Sequence, residues 1–158
     1  MVEINSTSNY SNIEVMAVKQ LTAFGTTDER ESLRQLAQKA LQPRSEDYPL
    51  VFVPEVVEKA QKGYEAFWAK SPFPQAEAGQ TEILVAIGKA EELSSEIGIG
   101  EVFPGGYRQI AHYLLPDKIW LTWKYVKPGE TSGMAYDGLV WLEERFVWFP
   151  KPWRILAE

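Results

Sequence analysis

The chain of 158 residues contains no cysteine and a single histidine, His112. The first absence removes disulfide frameworks, thiol nucleophiles and thiolate metal sites. The second removes HExxH helices and any site built on several imidazoles, so no metal is expected. Long apolar runs are also missing, since no stretch approaches the roughly 18 residues of a membrane span. The opening MVEINSTSNYSN has neither the basic nor the apolar region of a signal peptide, which predicts a soluble, cytoplasmic protein with no membrane partner. Basic charge is scarce: residues 1–103 hold 16 acids against 9 bases and residues 104–158 hold 6 against 7, within a net charge of −6. Without a basic footprint no nucleic-acid partner is expected. Phosphate-loop and calcium-loop patterns are absent, and Gly129-Glu-Thr-Ser-Gly133 misses the nucleophile-elbow pattern by one position. No cofactor is expected.

What the chain does contain is 45% apolar residues, enough for one core without covalent staples. Residues 1–10, rich in Ser and Asn, read as a flexible tail, and 11–158 as one α+β domain. Ser11 with Glu14 and Thr26 with Glu29 have capping-box spacing, each followed by apolar positions at helical intervals. The two segments predict a helical hairpin. Pro54 opens a further helix with Val56, Val57, Ala60, Tyr64, Phe67 and Trp68 on one face. Residues 81–97 fit a helix through Ile83, Ala86, Ile87, Ala90 and Leu93, although Ile83 to Ile87 before Gly88 also suits a buried strand; the helix is the expectation.

From Gly105-Gly106 onward the apolar period changes from 3.6 to 2 and aromatics accumulate, which predicts a curved, four-stranded antiparallel meander of strands 107–115, 118–126, 134–142 and 145–149. The N-terminal helices would pack on it. A two-residue turn at Pro116-Asp117 places Arg108, Ile110 and His112 on one face with Leu121, Trp123 and Tyr125. The second pair of strands places Asp137 with Leu139, Trp141, Phe146 and Trp148.

If these faces converge, Asp137 fixes the tautomer of His112, which acts as general base, and Arg108 anchors an anionic or carbonyl group between walls of Trp123, Tyr125 and Trp141. The bland counterpart is a core histidine beside a supporting Arg108–Asp137 ion pair. Exposed tryptophans such as Trp120 and Trp153, around the proline-broken run 149–154, offer a separate sugar-stacking or protein-binding patch. Helices followed by an antiparallel meander with aromatic strands resemble, in element order alone, the cone-shaped fold of nuclear transport factor-like proteins, whose members include pocket enzymes using His and Asp. Two functions follow as expectations. The first is a binding or protein-interaction module; the second is a pocket that binds, or acts upon, a small apolar or anionic ligand.

Overall fold

The computed structural model describes residues 2–157, with side chains from Tyr10 onward. Helix α1 (Val2–Thr22) is followed by α2 (Arg30–Ala40), α3 (Tyr48–Val51) and α4 (Pro54–Trp68). Strand β1 (Glu82–Lys89) precedes two short helices, α5 (Ile99–Val102) and α6 (Gly106–Ile110). Strands β2 (Ile119–Val126), β3 (Gly133–Trp141) and β4 (Phe146–Trp148) follow, and α7 (Pro152–Leu156) ends the order. The sheet is antiparallel throughout, in the sequential order β1-β2-β3-β4. The architecture is therefore α+β, with the longer helices in the N-terminal part of the chain.

Two expectations about individual elements are corrected. Residues 81–97 do not form a helix: Glu82–Lys89 pairs along its whole length with β2. The segment expected as the first strand, 107–115, instead coils into α6 and a 3-10 turn at Ala111–Tyr113. Spacing at i, i+3 and i+4 also occurs in a strand with apolar residues on both faces, so periodicity alone could not separate the two. Within the strand, Gly88 lets α5 pack closely, since a Cβ there would come within 2.9 Å of the Ile99 side chain. Helix α1 also starts at Val2 and runs through the Ser11 capping box. The expected tail over residues 1–10 concerns side chains that, Tyr10 apart, lie outside the described residues.

The other three strands fall close to their expected bounds, with one local change in register. Leu121 pairs with Leu139, but Trp123 pairs with Tyr136, so β3 carries an extra residue at Asp137-Gly138. This is a β-bulge, a device that bends a strand and re-aims a side chain. Tyr136 thereby joins the face of Trp123 (ring centroids 5.4 Å apart) and Trp148 (6.3 Å), the face expected to hold Asp137. Asp137 is displaced toward α6.

The core is aromatic. Phe52 and Tyr64 pack edge-on or stacked with each other and with Phe149, and Phe52 also meets Trp120; Phe67 and Trp68 meet Trp148. Burying each large side chain contributes about 1.5–3 kcal/mol, and favourable ring geometry adds about 0.5–1.5 kcal/mol per pair. Trp120 is fully buried, and Trp153 is half-buried edge-on to Tyr107 at 5.3 Å, so neither contributes an exposed stacking surface. Asp47 is buried, accepts the Arg44 N–H at 2.7 Å and pairs with Arg145, which ties the α2–α3 loop to the start of β4.

Gly138 makes the bulge possible. Its φ is +86°, and a Cβ would lie 2.2 Å from the carbonyl oxygen of Phe149. Gly138→Ala is expected to cost about 1–3 kcal/mol or more, since strain and a backbone clash act together. Urea denaturation checks this, and the matched control Ala135→Gly, on the exposed part of the same strand, should cost less than about 1 kcal/mol.

Candidate functional site

Strand β4 spans three residues and pairs only with Leu139, Val140 and Trp141 of β3. Pro150 follows soon after; with no N–H and a fixed φ, it turns the chain away from the sheet. The section 133–137 of β3 is left without a strand on that side. Beside it lies a cleft of about 530 Å³, walled by Tyr64 and Phe67 of α4, Tyr136 of β3, Trp148 of β4, and Pro150, Lys151, Arg154 and Ile155 near the C-terminus. Its size is ordinary for a small-ligand pocket.

Asp137 lies in the wall of this cleft and is 6% exposed. Its Oδ1 accepts the Tyr107 hydroxyl at 3.1 Å and the Lys151 backbone N–H at 2.7 Å. Its backbone carbonyl accepts the Trp148 indole N–H at 2.8 Å. Among the described residues Oδ2 accepts no hydrogen bond. Lys151 is in the left-handed region at φ 48°, which turns its N–H onto the carboxylate; this is a strained conformation for a non-glycine residue. Tyr64 fixes the same turn by donating its hydroxyl to Pro150 O at 3.0 Å.

Burial raises the carboxyl pKa of Asp137 above its ordinary value of 3.8. The bonds from Lys151 N–H and Tyr107 and the charges of Lys151 and Arg154 oppose that rise without cancelling it. Tyr107 and Tyr64 are pushed far above the ordinary phenol range, chiefly by burial and secondarily by the Asp137 charge. Both phenols are therefore neutral hydrogen-bond donors at neutral pH. Lys151 and Arg154 are exposed at the cleft mouth, and neither side-chain cation makes a hydrogen bond or ion pair among the described residues.

Of the six residues expected to form a pocket, Asp137 alone belongs to this cleft. His112 is exposed on the 3-10 turn, its ring 4.0 Å from that of Tyr113, and makes no hydrogen bond to Asp137. Coiling of 107–115 removes the alternation that placed it opposite Leu121. Arg108 is half-buried on α6 and donates to Gly100 O at 3.3 Å, so it braces the α5–α6 corner instead of facing the cleft. Tyr125 is buried and donates to Leu21 O at 2.8 Å, anchoring α1 to β2. Trp141 is half-buried, tilted against Phe146 at 4.8 Å. Trp123 stacks beneath Tyr136 and lines a smaller depression of about 210 Å³ on which Asp137 also borders.

Sequence reasoning placed a binding patch on the run 149–154, which holds Lys151 and Arg154, but kept it separate from the Asp137 pocket, and it read Tyr64 and Phe67 only as part of a helix stripe. The signal in that run is its two prolines, which interrupt strand pairing and leave cations beside aromatics. Among the described residues no group of three or more His, Asp or Glu gathers to hold a metal, and no helix is long and apolar enough to cross a membrane. The chain matches no protein-family profile, no curated protein and no solved structure.

Because Asp137 titrates above 3.8 when folded, the folded chain holds this proton more tightly than the unfolded chain. The group's contribution to stability is greatest at low pH and declines as pH rises through the folded value. Asp137→Asn keeps an acceptor for both donors and removes the buried charge. It should match or exceed the parent at pH 7, with that advantage gone at pH 3. Asp137→Ala strands two donors and should cost about 1–3 kcal/mol at pH 7. Urea denaturation of the three proteins at the two pH values measures both effects.

Proposed function

We propose that the protein is a binding module whose cleft takes a ligand with an apolar body and an anionic group. The observation that carries this reading is the pairing of aromatic walls, Tyr64, Phe67, Tyr136 and Trp148, with two exposed and unengaged cations, Lys151 and Arg154, at one mouth. Apolar surface entering the cleft gains from desolvation, and an anion at its mouth meets positive charge without breaking a hydrogen bond or ion pair of either cation. The unpaired Oδ2 of Asp137, a residue in the cleft wall, offers an acceptor for a ligand hydroxyl or N–H. Binding is favoured over acid–base catalysis by a His/Asp couple because His112 sits outside the cleft and does not reach Asp137.

The test compares 2-naphthoate with neutral 2-naphthylmethanol, followed by NMR at the Trp148 indole N–H and the Lys151 amide. Naphthoate should shift both signals saturably and bind more tightly than the alcohol. Arg154→Ala combined with Lys151→Gly should weaken naphthoate by about tenfold, or 1.4 kcal/mol, and bring it level with the alcohol. Lys151→Gly keeps the amide that Asp137 accepts and suits the left-handed φ, so the fold is retained. Absence of saturable shifts at these two groups, or equal affinity for acid and alcohol in the parent protein, would count against the proposal.

A further inference from the structure

We infer that the natural ligand of this cleft is an extended polypeptide segment, which adds as a short strand to the open edge of β3 and places an acidic residue beside Lys151 and Arg154. The inference rests on the binding reading above and names the chemistry of its occupant.

The first observation is the edge itself. Asp137 turns its carbonyl to the β4 side, where it accepts the Trp148 indole N–H. In an antiparallel ladder the residues that turn both backbone groups outward alternate, so Ala135 is the next to do so. Ala135 is exposed and lines the cleft, and no hydrogen bond from another described loop or side chain reaches its backbone. A donor and an acceptor thus face the cleft from one residue, the arrangement that a peptide strand satisfies with its own C=O and N–H.

The second observation is that the guards of this edge, the bulge at Asp137-Gly138 and the inward charge of Asp137, lie at one end of it and leave residues 133–136 unguarded. Proteins ordinarily protect an open strand with proline, a bulge, an inward charge or a covering segment. Residues 133–136 are Gly-Met-Ala-Tyr, without charge or proline. The segment from Pro72 to Ala78 does not cover it either: it crosses at Tyr136, whose hydroxyl donates to Gln75 O at 3.0 Å and accepts from Gln75 N at 2.9 Å. It forms a wall of a second, more open depression of about 840 Å³ that shares Met134 and Tyr136 with the cleft. The two depressions meet at Met134 and Tyr136 of β3, giving a path for an elongated ligand where a compact one would fill only one end.

The third observation is charge. Lys151 and Arg154 stand at the C-terminal end of this path, whereas Asp28 and Glu77 line the far depression. An extended segment with an apolar residue for the aromatic walls and an acidic residue at the Lys151 and Arg154 end complements the groove, and a basic residue at its other end would complement Asp28 and Glu77. Met134 to Asp137 covers about 10 Å of strand, so three or four peptide residues make the main-chain contacts.

The test uses acetyl-Thr-Val-Phe-Val-Glu-amide as probe, with two analogues, each N-methylated at one of two adjacent residues, Phe or the Val after it. In a strand, successive N–H groups point to opposite sides. One methyl group should therefore weaken binding by about tenfold, from a lost hydrogen bond and a clash, while the other changes it less than about threefold. The Ala135 amide should shift and exchange more slowly with the probe bound, and replacing the peptide Glu by Gln should weaken binding several-fold. Equal effects of the two methyl groups, or an unprotected Ala135 amide at saturation, would overturn strand addition. So would dimerisation of the free protein through this edge, read by sedimentation, since a second copy would then be the occupant. If 2-naphthoate binds in the Arg154-dependent manner while the peptides fail, strand addition falls and the binding reading stands. If neither binds, both fall.

Discussion

The carboxylate of Asp137 holds together three parts of the chain that lie far apart in sequence: the bulge of β3, the buried Tyr107 of α6, and the left-handed turn at Lys151 that leads into α7. Each depends on the others. Without the extra residue at Asp137-Gly138, the side chain would join Trp148 on the aromatic face and its two donors would lose their acceptor. Without the Lys151 N–H, the strained turn would lose the bond that compensates for it. The arrangement is costly, since a buried carboxylate gives up hydration and its proton is held more tightly as a result. That cost places a polar group with one oxygen still free in an otherwise aromatic wall.

The cleft follows from how this point ends the sheet. Strand β4 is short because Pro150 cannot continue the ladder, and the chain then returns toward α4, where Tyr64 holds Pro150 and α7 packs. The return path leaves a gap beside β3 instead of closing over it. Aromatic side chains suit the walls of such a gap because they are rigid and present large faces from both α4 and the sheet. The cations come from Lys151, which precedes α7, and from Arg154 within it, both exposed to solvent. Structural and binding roles are thus assigned to different atoms of the same few residues: Lys151 braces the fold through its amide and faces solvent through its ammonium.

Much of the fold was legible in the sequence, for reasons that individual elements make plain. The helix opened by Pro54, with Val56, Ala60, Tyr64 and Trp68 turned inward, could be read from a proline and a clean stripe. Strands β2, β3 and β4 could be read from alternation and the polar turns between them. The strand of residues 82–89 could not, because apolar residues on both faces erase the difference between periods of 2 and 3.6. Residues 107–115 misled in the opposite direction, alternating by coincidence while Gly106 allowed the chain to coil closely against Trp153. The run 149–154 was legible as a binding patch through its prolines, and the site itself in Asp137, whose isolation among apolar neighbours marked it as a group in need of partners. Its partners were out of reach, since a bulge is a shift of one residue that no pattern announces, and a backbone N–H donor such as that of Lys151 has no sequence signature.

The Lys151 amide gives the most direct measurement of this account. Lys151 is an exposed residue in a connecting turn, so apart from its bond to Asp137 its N–H would exchange with solvent at close to the free-peptide rate. Residue-resolved hydrogen exchange should find that amide protected in the parent protein and in Asp137→Asn, and unprotected in Asp137→Ala. Free-peptide exchange at Lys151 in the parent protein, or protection that survives Asp137→Ala, would contradict the central role given to the Asp137 carboxylate.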